Sequence, residues 1–129
     1  MSRHSRSALI VSDSAPLRQY TASILGAVGV AAAEAASGFQ AMDRLAERSF
    51  DFYVVDLDMP SSDGLAIFAI SLTGGVRGPS PAVIGLTAGE EDSTKPGPWG
   101  EATLLARLPK PFHPDELVAA AQAILKSLG

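Results

Sequence analysis

Cysteine is absent from the 129 residues. That excludes a disulfide framework, a thiolate nucleophile and any Cys-ligated zinc or iron–sulfur centre. Basic charge is also in short supply. Ten Lys and Arg stand against fourteen Asp and Glu, a formal net charge of −4, which disfavours direct nucleic-acid binding. A membrane-spanning run is missing: the uncharged stretch Gly64–Val76 is too short to cross a bilayer and is rich in Gly and Ala. Arg3 and Arg6 precede the apolar run Ala8–Val11, but that run is far too short for a signal peptide and meets Asp13 at once. Internal repeats and long low-complexity segments are lacking too. These absences imply a cytoplasmic protein with no membrane partner. What is present, 47% hydrophobic and 19% charged residues, is a globular balance. The length suits one domain, and such a chain buries roughly two thirds of its unfolded surface.

Along the chain, short apolar runs alternate with helical patterns. Ser7–Val11 reads as a buried strand. Pro16 suits the start of a helix whose apolar stripe is Leu17, Tyr20, Ile24 and Leu25, stopped by Gly26 and Gly29, with Ser12, Asp13 and Ser14 as capping residues. The alanines of Val30–Ala36 favour helix by propensity. Their place between a glycine stop and Ser37-Gly38 favours a short strand, which is the reading adopted. Phe39–Ala46 reads as helix with Ala41, Met42 and Leu45 on one face, Asp51–Asp56 as strand, Pro60–Gly64 as loop and Leu65–Leu72 as short helix. The Gly- and Pro-rich run from Gly74 marks a loop before the strands Pro81–Thr87 and Leu104–Leu108. His113-Pro114-Asp115-Glu116 opens the last helix, whose stripe is Leu117, Ala121, Ile124, Leu125 and Leu128.

Strands alternating with helices imply βαβ units and a parallel sheet covered on both faces. Ligands of such sheets bind beyond the carboxyl ends of the strands. Those ends carry Ser12-Asp13, Asp56, Thr87 and Lys110. A carboxylate can attack a phosphoryl group to form an acyl phosphate. A divalent cation and a lysine supply positive charge to its oxygens, and a hydroxyl can donate to the transferred group. Taken singly, each residue has a bland reading: a solvated acid, a surface lysine, a β-forming threonine. His4 and His113 lack metal-ligand spacing.

The segments Leu9-Ile10-Val11-Ser12-Asp13, Val54 to Gly64 through Asp56-Leu57-Asp58-Met59-Pro60, Leu86-Thr87-Ala88 and Lys110-Pro111-Phe112 resemble the receiver domain of two-component response regulators, from about Ala8 to Leu125. Each is weak alone, but their order and places are specific together. The resemblance implies a flavodoxin-like, doubly wound five-stranded parallel sheet of order 2-1-3-4-5. It implies a tail over 1–7 and a receiver domain over 8–129. Asp56 matches the phospho-accepting aspartate, Thr87 the switch hydroxyl and Lys110 the phosphoryl-pairing lysine, followed by a cis peptide at Pro111. Asp13 and Asp56 match Mg²⁺ ligands, with the main-chain carbonyl of Asp58 completing the protein's share. The implied donor is a histidine kinase or histidine phosphotransfer protein, and the implied output is an unidentified downstream protein.

Three departures from that family stand out. Ser12-Asp13 replaces the usual pair of acids, which implies weaker Mg²⁺ binding unless the Asp58 carboxylate compensates. Arg107 replaces the usual aromatic on strand five, where burying its charge is costly, so the usual threonine–aromatic coupling is altered. Gly89–Thr103 carries Pro96, Gly97, Pro98 and Gly100 where the family has its fourth helix. Interior proline costs roughly 3 kcal/mol and glycine up to about 1 kcal/mol. The expectation is a shortened or irregular fourth helix, with turns near Glu90–Thr94 and then a loop carrying Trp99. Arg107 and Trp99 are thus the candidate switch and partner surface.

The leading expectation is a phosphorylation switch with no turnover of an outside substrate. No output domain follows the last helix, so the chain reads as a stand-alone receiver or a piece of a longer protein. Two alternatives compete with it. A pseudo-receiver would keep the fold as a phosphorylation-independent interaction module. A haloacid-dehalogenase-type phosphatase is suggested by Asp56-Leu57-Asp58, but that motif lies mid-chain here and lacks the following Thr or Ser.

Overall fold

The computed structural model describes residues 6–60, 64–73, 81–88 and 104–128. Five strands and four helices lie among them: β1 (Arg6–Val11), α1 (Ala15–Ala27), β2 (Val30–Ala35), α2 (Gly38–Glu47), β3 (Phe52–Asp56), α3 (Leu65–Thr73), β4 (Val83–Thr87), β5 (Leu104–Pro109) and α4 (Pro114–Ser127). All strands pair in parallel, in the order β2-β1-β3-β4-β5. This is the α/β flavodoxin-like sheet expected from the sequence. The expected turns at 90–94, the Trp99 loop and the loop over 74–80 lie outside the described residues.

The central strands are apolar on both faces because both faces are covered. Side chains alternate across a strand, and the core divides accordingly. Ala8, Ile10, Phe52, Val54, Ile84 and Leu86 pack on one face with Leu25 of α1 and Leu117, Ala121 and Ile124 of α4. Leu9, Val11, Tyr53, Val55 and Val83 pack on the other with Ala41 of α2 and Leu65, Phe68 and Leu72 of α3. Phe52 and Phe68 are fully buried; truncating a buried Phe to Ala typically costs about 3–5 kcal/mol. β2 is a strand despite its alanines, because its pairing with β1 along Arg6–Val11 overrides local propensity.

Helix ends follow local chemistry. Ser14, not Asp13, caps α1, its side chain accepting from the Leu17 N–H at 3.2 Å. Ser37 caps α2, accepting from the Gln40 N–H. His113 and Glu116 form a reciprocal capping box on α4.

Two apolar assignments differ from expectation. Tyr20 is 40% exposed. Its ring leans on Phe112, centroids 5.4 Å apart, and its hydroxyl donates to the Phe112 carbonyl at 3.0 Å. A hydroxyl-bearing ring gains more at the rim, where its polar end finds a partner, than in the core. Leu128 is 47% exposed because α4 ends at Ser127, before the stripe reaches it.

Candidate functional site

The site forms where β1, β3, β4 and β5 end. Parallel register decides which residues meet there. Ala8 pairs with Phe52, and the offset holds through Val11 and Val55. One rung further, it places Ser12 beside Asp56. Asp56 closes β3 and is 3% exposed; Ser12 is fully buried. The Ser12 hydroxyl donates to Asp56 Oδ2 at 3.0 Å and accepts from the Ser14 N–H at 3.1 Å. Arg18 reinforces this corner, donating to the Ser12 carbonyl at 2.7 Å and to Glu34 at 3.1 Å.

On its other oxygen, Asp56 accepts from Lys110 Nζ at 2.7 Å and from the Asp58 N–H at 3.1 Å. Lys110 also reaches the Asp58 carboxylate at 3.1 Å. The lysine is carried by the turn after β5, where its N–H donates to the Thr87 carbonyl at 2.7 Å. The Lys110–Pro111 peptide is cis, as expected. Burial by itself lowers the Lys110 pKa, but hydrogen bonding and attraction from Asp56 and then Asp58 outweigh it, and the net effect raises the ammonium above its ordinary value.

Thr87 follows Leu86, the residue paired with Asp56. It is buried, and its hydroxyl has no hydrogen-bond partner among the described residues. A buried hydroxyl without a partner is costly.

Magnesium favours oxygen donors, takes one or two carboxylates and keeps waters and phosphate oxygens as its other ligands. Buried Asp56 and exposed Asp13, which follows Ser12, fit that donor set. Among the described residues, no group of three or more His, Cys, Asp or Glu side chains could hold a metal ion. The Asp58 carboxylate is shared with Lys110 at 3.1 Å, as Asp56 is at 2.7 Å, and the Asp58 main-chain carbonyl is a further oxygen donor.

The structure therefore gathers Asp56, Asp58 and Lys110 directly and places Thr87 on the neighbouring strand end. Arg107 is half-buried on β5, paired with Gly85. Trp99 lies outside the described residues. Sequence reasoning read Ser12 as a missing acid or a helix cap and missed its bond to Asp56. The signal was available: equal offsets along β1 and β3 put their terminal residues side by side. Tyr20, the tether of the Lys110 turn, was read only as apolar stripe.

Residues 8–122 match the family model for the response regulator receiver domain, and the chain belongs to that family. The chain is 31% identical over 121 residues to the phosphate regulon transcriptional regulatory protein PhoB of Pseudomonas aeruginosa, covering 94% of this chain and 52% of that protein. It thus spans about half the length of that relative. Among solved structures it resembles a response regulator receiver protein from Burkholderia phymatum, at 27% identity and TM-score 0.76, covering 94% of this chain and 95% of the other. It also resembles the chemotaxis response regulator CheY4 of Vibrio cholerae, at 25% identity and TM-score 0.79, covering 94% and 99%. No helix among the described residues is long and apolar enough to cross a membrane.

Proposed function

We propose that this receiver domain is a phosphorylation switch whose acceptor is Asp56. The observation that carries the reading is the pair of buried Asp56 and Lys110 at 2.7 Å, with the buried Thr87 hydroxyl, unpartnered among the described residues, on the next strand. A carboxylate oxygen of Asp56 attacks the phosphorus of a phosphohistidine on a histidine kinase or phosphotransfer protein. The new O–P bond replaces the P–N bond, and the imidazole leaves and takes up a proton. Lys110, already poised at the carboxylate, neutralises charge on the arriving phosphoryl oxygens. The Thr87 hydroxyl gains an acceptor, and that gain biases the domain between two states.

Domains of this family generally bind Mg²⁺. Held by Asp13, Asp56 and the Asp58 carbonyl, Mg²⁺ would supply further positive charge to the phosphoryl oxygens. The receiver unit is taken as 8–129 with a short leading segment over 1–7. It turns over no outside substrate and works in the cytoplasm. Its output is a downstream protein, not nucleic acid, met through a surface that includes Arg107 and Trp99. The gathering of Asp56, Lys110 and Thr87 favours this reading over a phosphorylation-independent module. Receiver-family membership does not favour a dehalogenase-type phosphatase.

The test is intact-mass measurement after incubation with acetyl phosphate, with and without Mg²⁺. A gain of one phosphoryl group in the wild type, absent in Asp56→Asn, is expected. A well-folded wild type that gains no mass at saturating Mg²⁺ would overturn the switch.

A further inference from the structure

The donors around Asp56 show how the resting pocket is held. An ionised carboxylate offers about four acceptor positions and no donor. Among the described residues, three protein donors reach Asp56: Lys110 Nζ and the Asp58 N–H on Oδ1, and the Ser12 hydroxyl on Oδ2. The Ser12 hydroxyl makes its contact in a fully buried position. It is held there from two sides, by the Ser14 N–H on its oxygen and by Arg18 on its carbonyl.

A second ionised acid at position 12 could not make this contact. It would have nothing to donate, and it would set two like charges within hydrogen-bond distance, which disfavours ionisation of both. A divalent cation would relieve that repulsion, so such a pocket would gain stability from it. A hydroxyl removes that repulsion.

We propose that Ser12 is a positioning residue for Asp56, a neutral clamp that makes the resting pocket self-sufficient without a divalent cation. This inference rests on the reading of Asp56 as the phosphoryl acceptor. It gives the chain a pocket whose stability is only weakly coupled to Mg²⁺ and whose affinity for the free cation is low. The Asp56 carboxylate stays aimed by protein donors, and Mg²⁺ is engaged chiefly when phosphoryl oxygens add to the ligand set.

The experiment uses the whole chain and Mg²⁺ as the probe. Wild type, Ser12→Asn and Ser12→Asp are melted in EDTA and across a Mg²⁺ series, and Mg²⁺ binding is followed by calorimetry. Asn matches Asp in shape but keeps a neutral donor, so the pair isolates the charge. Wild type and Ser12→Asn are expected to melt only slightly higher across the Mg²⁺ series than in EDTA, as weak binding to the folded state implies. Ser12→Asp is expected to melt lower in EDTA, to recover as Mg²⁺ is added, and to bind the cation about tenfold or more tightly than wild type, as one added carboxylate near a divalent ion implies. If Ser12→Asp does not fold, the wild-type series still decides. A wild type that melts markedly lower in EDTA, or that binds Mg²⁺ as tightly as Ser12→Asp, overturns the proposal. Equal Mg²⁺ responses from Ser12→Asn and Ser12→Asp overturn it as well. Acetyl phosphate labelling of the same wild-type samples at saturating Mg²⁺ reads the acceptor role separately. A failure there removes the switch reading, while the melting shifts still judge the clamp.

Discussion

Lys110 holds Asp56 at 2.7 Å and Asp58 at 3.1 Å with one ammonium group. The two carboxylates are not equivalent: the Asp56 side chain is 4% exposed and that of Asp58 27%. Water can compensate Asp58 if the lysine is lost, but it reaches Asp56 poorly.

That asymmetry predicts unequal costs. Lys110→Met strands a buried charge, a change that costs about 3–5 kcal/mol in a fully buried pair. Ser12 and the Asp58 N–H still bond Asp56, so the loss here should be nearer about 1–3 kcal/mol. Asp56→Asn leaves Lys110 paired with Asp58 and should cost less. Urea unfolding of both variants checks this, and equal losses would contradict the assignment of Asp56 as the group that depends on Lys110.

Alkaline pH acts on the same lysine. Its folded pKa is raised, because attraction from Asp56 and Asp58 exceeds the lowering by burial. The Tyr53 phenol is raised as well, through burial, offset in part by a backbone hydrogen bond and aided by Asp51. The folded state therefore holds both protons more tightly than the unfolded chain. The stability they contribute is fully present below the ordinary pKa values near 10 and is lost as pH rises through the folded ones. Denaturation midpoints should fall above about pH 10, less steeply in Asp58→Asn. A flat profile in that window would count against the Lys110 network.

Thr87 should be a stability liability in the resting state. Thr87→Val removes a buried hydroxyl that has no partner among the described residues, a group whose desolvation costs about 1–3 kcal/mol. The variant should melt at or above the wild type. It should also hold the phosphorylated state less well, because the expected donor is gone. Thermal melts and the decay of the phosphoryl mass signal test the two halves. A clear fall in melting temperature would mean that the hydroxyl already has a role in the resting fold.

The α2–α3 contact is equally specific. A Cβ on Gly38 would collide with the backbone carbonyl of Gly64, which cannot rotate away. Gly64 itself has φ +81°, and a Cβ there would meet the Phe39 ring at about 2.8 Å. Gly38→Ala should therefore destabilise by about 1–3 kcal/mol, the range for overpacking. Chemical denaturation beside the control Gly26→Ala, where a Cβ meets nothing within 4 Å, separates the collision from the general effect of glycine replacement.

Much of the fold was legible in the residues. Apolar runs at Ser7–Val11 and Phe52–Val55, the cap at Ser14, the helix entry at His113 and the stop at Gly29 are local signals that acted locally, whereas Gly26, read as part of the same stop, lies inside α1. Leu128 and Tyr20 misled because a helical stripe does not say where the core ends. The alanine-rich β2 sat at the limit of local reading, since only its neighbour β1 makes it a strand.

The sequence alone determined the alternating βα plan and the chemical groups at the strand ends, because hydrophobic period, turn residues and residue type are properties of short segments. Only the tertiary structure decided how those groups engage one another. The register of β1 on β3 set Ser12 against Asp56 across 44 residues. The turn after β5 drew Lys110 between two carboxylates, and burial left the Thr87 hydroxyl without a partner among the described residues. Hydrogen bonds and ion pairs depend on distances of a few tenths of an ångström, and distances between residues far apart in the chain exist only once the sheet has paired.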